Sequence, residues 1–77
     1  MPRLYSSAEI AKVLEAAGYA FSRQKGSHQT WRRDGQQGDM ARTVVVQANK
    51  RQIPRGTFKN ILRQAGMTEE DFVKLLG

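Results

Sequence analysis

Tyr19-Ala20-Phe21-Ser22-Arg23-Gln24-Lys25-Gly26-Ser27-His28-Gln29-Thr30-Trp31-Arg32-Arg33 decides the fold of this 77-residue chain. Successive side chains of a strand point to opposite faces. Tyr19 and Phe21 therefore share one face, with Ala20, Ser22 and Gln24 on the other. Lys25-Gly26-Ser27 is a turn signal, and 28–33 alternates again. Trp31 joins the Tyr19 and Phe21 face, while His28, Thr30 and Arg32 point the opposite way. The stretch predicts a hairpin with its aromatic face under helices and His28 on the open face. Trp31 is assigned to the core by this pattern, with stacking on a nucleobase as the competing reading.

Upstream, Ser6-Ser7-Ala8-Glu9 reads as a capping box that opens a helix. Ile10, Val13, Leu14 and Ala17 follow at helical spacing, and Gly18 stops the run. Tyr5 lies off this stripe and carries no signal. Downstream, 34–39 is a polar loop and Thr43-Val44-Val45-Val46-Gln47 a β-branched third strand. A basic connection over 48–55 leads to a second helix opening near Thr57-Phe58. Phe58, Ile61, Leu62 and Ala65 form its apolar stripe and Gly66 its stop. Thr68-Glu69-Glu70-Asp71 starts a short third helix, with acids at its positive end and Met67 and Phe72 placed as a hydrophobic staple. The order is α-β-β-β-α with a short helix appended, an α+β fold in one domain over 1–77.

A chain of this length buries only roughly 60% of the surface its unfolded form exposes, so a shallow surface site is expected rather than a deep cavity. It has no cysteine and one histidine. That composition excludes disulfides, thiolate metal sites and a histidine-rich zinc site. No nucleotide-binding glycine loop or nucleophile elbow occurs, and no small-molecule cofactor or metal is expected. The N-terminus lacks the apolar run of a signal peptide, and no stretch is long and apolar enough to span a bilayer. A cytoplasmic setting without membrane attachment is the expectation.

The formal net charge is +6, and it is segregated. Arg23, Lys25, Arg32 and Arg33 form one block without acids; Lys50, Arg51, Arg55, Lys59 and Arg63 form another. Segregation of this kind points to a polyanion partner, nucleic acid first and an acidic protein second. His28 is then the candidate for proton transfer, since its ordinary pKa lies near neutrality. A histidine within reach of a ribose 2′-hydroxyl can take its proton, or protonate the leaving oxygen, with cations stabilising the phosphate. A strand histidine with no chemical role is the alternative. The Gly26 and Ser27 backbone offers donors in a tight turn that a phosphate can approach. The Lys50–Arg55 run offers cations before a helix start, or is simply solvated.

These pieces together resemble the HicA family of mRNA interferase toxins from bacterial type II toxin–antitoxin pairs. The resemblance is carried by Ala16-Ala17-Gly18-Tyr19 at the helix-to-strand junction and by Arg23-Gln24-Lys25-Gly26-Ser27-His28, which looks like the family's Gly-Ser-His signature. Asn49-Lys50, then Ile53-Pro54-Arg55-Gly56-Thr57-Phe58, then Ile61-Leu62-Arg63-Gln64-Ala65-Gly66-Met67, resemble its C-terminal half. The resemblance implies a double-stranded-RNA-binding-like α-β-β-β-α fold with a three-stranded antiparallel sheet. It implies mRNA cleavage with His28 as the active histidine, restrained by a HicB-type antitoxin. Many relatives carry Pro-x-His after the third strand; here that second histidine falls on Gln47 or Ala48.

The resulting expectation is a metal-independent endoribonuclease in which His28 is general base or general acid. Arg23, Lys25, Gly26, Ser27 and Arg32 contact RNA near the scissile bond, and Lys50, Arg51 and Arg55 track its backbone. A non-catalytic RNA-binding module on the same fold is the main alternative, and a protein that binds only an acidic antitoxin a third.

Overall fold

The computed structural model describes residues 3–35 and 40–77. Its elements are α1 (Ser7–Ala16), β1 (Ala20–Lys25), β2 (His28–Arg33), β3 (Arg42–Gln47), α2 (Arg55–Ala65) and α3 (Glu69–Leu76). The strands form one antiparallel sheet in the order β1-β2-β3. This is the α+β layout expected, and part of the polar loop at 34–39 lies outside the described residues.

Local chemistry sets the helix boundaries. In α1 the Ser6 hydroxyl accepts from the Glu9 amide at 3.1 Å, and the Ser6 amide donates to the Glu9 carboxylate at 2.9 Å. Such a box satisfies two donors that a helix start leaves without partners. Ile10, Val13 and Leu14 are then buried against the sheet. The second helix begins at Arg55, two residues before the expected Thr57 region, with Pro54 as N-cap and no side-chain cap. Proline carries no N–H of its own, which removes one of the donors that a helix start leaves without a partner. In α3 the Thr68 hydroxyl accepts from the Asp71 amide at 3.1 Å, and Phe72 is buried.

The core lies between the helices and the β2–β3 half of the sheet. Trp31 faces Val44 across the ladder and Gln29 faces Val46, and both valines are fully buried. Phe58, Ile61, Leu62 and Ala65 of α2 close over them. Tyr5, which carried no signal in the sequence, is buried beside Phe58 and Phe72, with ring centroids 5.2 and 4.7 Å away. Ile53, in the connection read as basic, is fully buried as well.

Two expectations for the hairpin need correction. Tyr19 and Trp31 are buried, but Phe21 is 51% exposed. It shares the inner face, packed edge-on to Trp31 at 5.8 Å, yet every residue of β1 is exposed because this edge strand runs beyond the helical layer. The second correction concerns register. Phe21 pairs with Trp31 but Arg23 pairs with Thr30, leaving Ser22 as an extra, bulged residue. A bulge resets the alternation. Gln24, expected opposite Phe21, therefore pairs with Gln29 on the inner side, and Arg23 and Lys25 move to the outer side with Thr30 and His28.

Candidate nucleic-acid interface

His28 is the first residue of β2, immediately after the turn at Gly26 and Ser27. Gly26 has φ +59 with open space where a Cβ would project, so its hydrogen serves backbone conformation rather than clearance. The turn is braced twice. The Gln24 side-chain amide donates to the Gly26 carbonyl at 2.9 Å, and the Ala48 amide donates to the Ser27 carbonyl at 2.6 Å. The second bond ties the turn to the end of β3.

Across the ladder His28 pairs with Lys25 on one side and Gln47 on the other. Directly opposed residues hold their Cβ atoms about 5 Å apart on the same face, so Lys25, His28 and Gln47 form one row. The next row is Arg23, Thr30 and Val45. Arg23, Lys25, Gly26, His28 and Thr30 line an open groove of about 660 Å³ on the face away from the helices. The imidazole is exposed and makes no side-chain hydrogen bond among the described residues. Arg23 and Lys25 likewise form no ion pair among the described residues.

The remaining sequence-selected residues divide. Arg32 lies on the same outer face, 3.5 Å from Asp34 in an exposed pair, a contact too solvated to hold it firmly. Lys50 and Arg51 are exposed but line a separate depression on the helical side of the sheet, with Gln29 and Trp31. The two basic blocks of the sequence therefore stand on opposite sides of the sheet. Arg55 belongs to neither surface. Its guanidinium is bidentate on the Glu69 carboxylate at 2.7 and 3.0 Å and lies over the Phe58 ring at 5.2 Å. Those hydrogen bonds lower the Glu69 pKa and raise that of Arg55. Arg55 thus clamps the first turn of α2 to that of α3, with its charge locally compensated. Arg33 is also structural, donating to the Ala17 carbonyl at 3.4 Å over the Tyr19 ring.

Thr30 and Gln47 join the site although neither was selected from the sequence as a contact residue. Thr30 shares the strand parity of His28, a signal that was present. Gln47 comes beside His28 only through the pairing of β2 with β3, which composition does not encode. Among the described residues no three His, Cys, Asp or Glu side chains group as metal ligands, and no helix is long and apolar enough to cross a membrane.

Chemically, the groove offers an imidazole with both nitrogens open, flanked by an ammonium, a guanidinium, a hydroxyl and a carboxamide. That set can move one proton beside a bound phosphodiester and compensate charge on its oxygens. Residues 7–67 match the model of one protein family, described as the HicA toxin of bacterial toxin–antitoxin systems. No curated protein matches the chain significantly.

Proposed function

From a chain that belongs to the HicA toxin family, we propose the following activity: cleavage of mRNA by His28 without a metal ion, checked in the cell by a HicB-type antitoxin. The observation that carries this reading is the row of Lys25, His28 and Gln47 on an uncovered sheet face, with Arg23 and Thr30 beside it. His28 as general base removes the proton of a ribose 2′-hydroxyl. The freed oxygen attacks the adjacent phosphorus, and the bond from phosphorus to the 5′ oxygen breaks. That oxygen takes a proton from water, giving a 5′-hydroxyl and a 2′,3′-cyclic phosphate. His28 in its protonated form can instead serve the departing oxygen.

Arg23 and Lys25 compensate the extra negative charge on the phosphorane, the role that preorganised cations perform in phosphoryl transfer. Gln47 offers neutral donors and an acceptor, but it exchanges no proton at neutral pH. The cycle therefore runs with one titrating side chain. A shallow groove suits a single strand, whose phosphate can bend toward in-line attack. It also suits inhibition by occlusion: an antitoxin presenting acids to Arg23, Lys25 or Arg32 covers His28. Such a toxin acts on transcripts in the cytoplasm.

The test is induced expression of this chain against His28→Ala, reading growth and transcript integrity together. The substitution removes an exposed side chain without hydrogen bonds, so stability should change by no more than about 0.5 kcal/mol. Cleavage should fall roughly 10²–10⁴-fold, and cleavage by the parent should persist in chelator. Undiminished cleavage by folded His28→Ala protein would remove the histidine mechanism. RNA binding without cleavage by the parent would leave the binding-module reading instead.

A further inference from the structure

The depression on the helical side of the sheet is a cleft of about 580 Å³. One wall is the first turns of α1, where Ala8 and Ala11 present little bulk; the opposite wall is Gln29 and Trp31 of β2. Lys50 and Arg51 stand at its mouth. We infer that this cleft seats one nucleotide of a single-stranded RNA, with its base between the alanines and the Trp31 wall and its phosphate toward Lys50 and Arg51. The inference rests on the ribonuclease reading above and extends it to how the strand is held.

Three observations support a nucleotide. Lys50 and Arg51 form no ion pair among the described residues, so the mouth is cationic and uncompensated. Trp31 is 6% exposed, yet its indole N–H is buried without an acceptor among the described residues. Buried donors are nearly always satisfied, and this one belongs to a residue of the cleft wall. Phe21, half exposed and edge-on to Trp31, extends the apolar wall toward the open edge of the sheet. Cations beside an aromatic surface are the usual means of holding single strands without reading their sequence. An acidic peptide would answer the two cations too, but it brings no flat base to lie between the alanines and the Trp31 wall.

Connectivity joins the cleft to the chemistry. Gln29 follows His28 directly, so cleft and groove lie back to back across one strand. The rim between them is the hairpin turn and Ala48, held together by the bond from the Ala48 amide to the Ser27 carbonyl. A strand that crosses this rim has its scissile phosphate at His28 and a nearby nucleotide in the cleft.

Trp31 is the only tryptophan of the chain, so its emission reports on the cleft. The full chain is titrated with a 2′-O-methyl hexaribonucleotide, which cannot undergo attack by its own 2′ oxygens. A saturable change in emission is expected. Ala8→Phe, at an exposed helix position, fills the slot and should weaken binding about tenfold, within the range of one stacked base. Its effect on cleavage should fall on KM. Lys50→Ala with Arg51→Ala should weaken binding from the mouth without occupying the slot. Emission unmoved by the RNA, or affinity unchanged in Ala8→Phe, would overturn the cleft while cleavage at His28 stood. An emission change with a hexaglutamate peptide and none with RNA would overturn it in favour of a peptide site. Cleft binding by a parent protein that cuts no RNA would support the subsite and overturn only the ribonuclease reading.

Discussion

Phe72 lies beyond the residues that match the family model, which end at 67, yet its side chain is 1% exposed. Its ring packs edge-on against Phe58 at 4.9 Å and Tyr5 at 4.7 Å, and Tyr5 also lies outside the matched stretch. A buried Phe→Ala substitution costs about 3–5 kcal/mol, the transfer term plus the cavity left behind. Domains hold roughly 0.05–0.15 kcal/mol per residue, so a chain of 77 residues has about 4–12 kcal/mol in total. Phe72→Ala should therefore remove about a quarter or more of the stability, and at the lower end nearly all of it. At roughly 4–8 °C per kcal/mol for a domain of this size, the melting temperature should fall by at least about 12 °C. Thermal unfolding followed by far-ultraviolet circular dichroism and by Trp31 emission measures this directly. A variant melting within about 4 °C of the parent would mean that α3 lies outside the cooperative unit and that the aromatic trio adds little. The outcome also bears on function: loss of toxicity in Phe72→Ala would report unfolding, whereas loss in His28→Ala should occur in a protein as stable as the parent.

Replacing Arg23 and Lys25 together with alanine should reduce the slope of log affinity for single-stranded RNA against log salt by about 1.4, two phosphate contacts at roughly 0.7 each; Arg55→Ala should leave that slope unchanged, and the reverse pattern would assign the phosphates to Arg55. Deleting Ser22 should preserve fold and cleavage, because it restores regular pairing with Arg23 still opposite Thr30. Deleting Gln24 should abolish cleavage by reversing the face of Arg23, and equal loss in both deletions would refute the bulge argument. The Glu69 pKa is lowered by its hydrogen bonds from Arg55, so its contribution to stability is fully present above the ordinary value of 4.5 and lost as pH falls through the lowered folded value. Glu69→Gln should therefore be less stable than the parent at neutral pH and converge with it in acid, which melting curves across pH 2–7 would follow; a gap that persists in acid would contradict that sign.

What was legible in the sequence was whatever is encoded over one or two turns of chain. The Ser6 and Glu9 box and the Ile10, Val13 and Leu14 stripe specify α1 without tertiary help, and α1 forms where they predict. The turn at Gly26 and the alternation of 28–33 specify β2 and the outward direction of His28. Tyr5 and Ile53 were not legible because they belong to no periodic segment: what buries them is the packing of α2 and α3. Arg55 read as a free cation for the same reason, since Glu69 reaches it only after two helix starts have been brought together.

The composition of the groove shows why facing was harder to read than strand identity. Counting by twos from Phe21 sends Arg23 and Lys25 to the inner face, against Trp31. Counting by twos from His28 sends only Thr30 and Arg32 outward with it. Nothing local in Ser22 marks the interruption, because a bulge is a property of two strands and not of one. The Gly26 turn fixes Lys25 opposite His28, while Trp31 fixes Phe21 on the inner face. Between those anchors β1 has one residue too many, and Ser22, small and polar on an exposed edge, absorbs it. The excess residue therefore lets Phe21 stay beside Trp31 while Arg23 and Lys25 keep the outer places that the turn gives them, beside Thr30 and His28. Without it both cations would keep those places, since they are counted from the turn and not from Phe21. The local irregularity that defeated the alternation thus reconciles an aromatic pair anchored in the core with the charged neighbours that the turn gives His28.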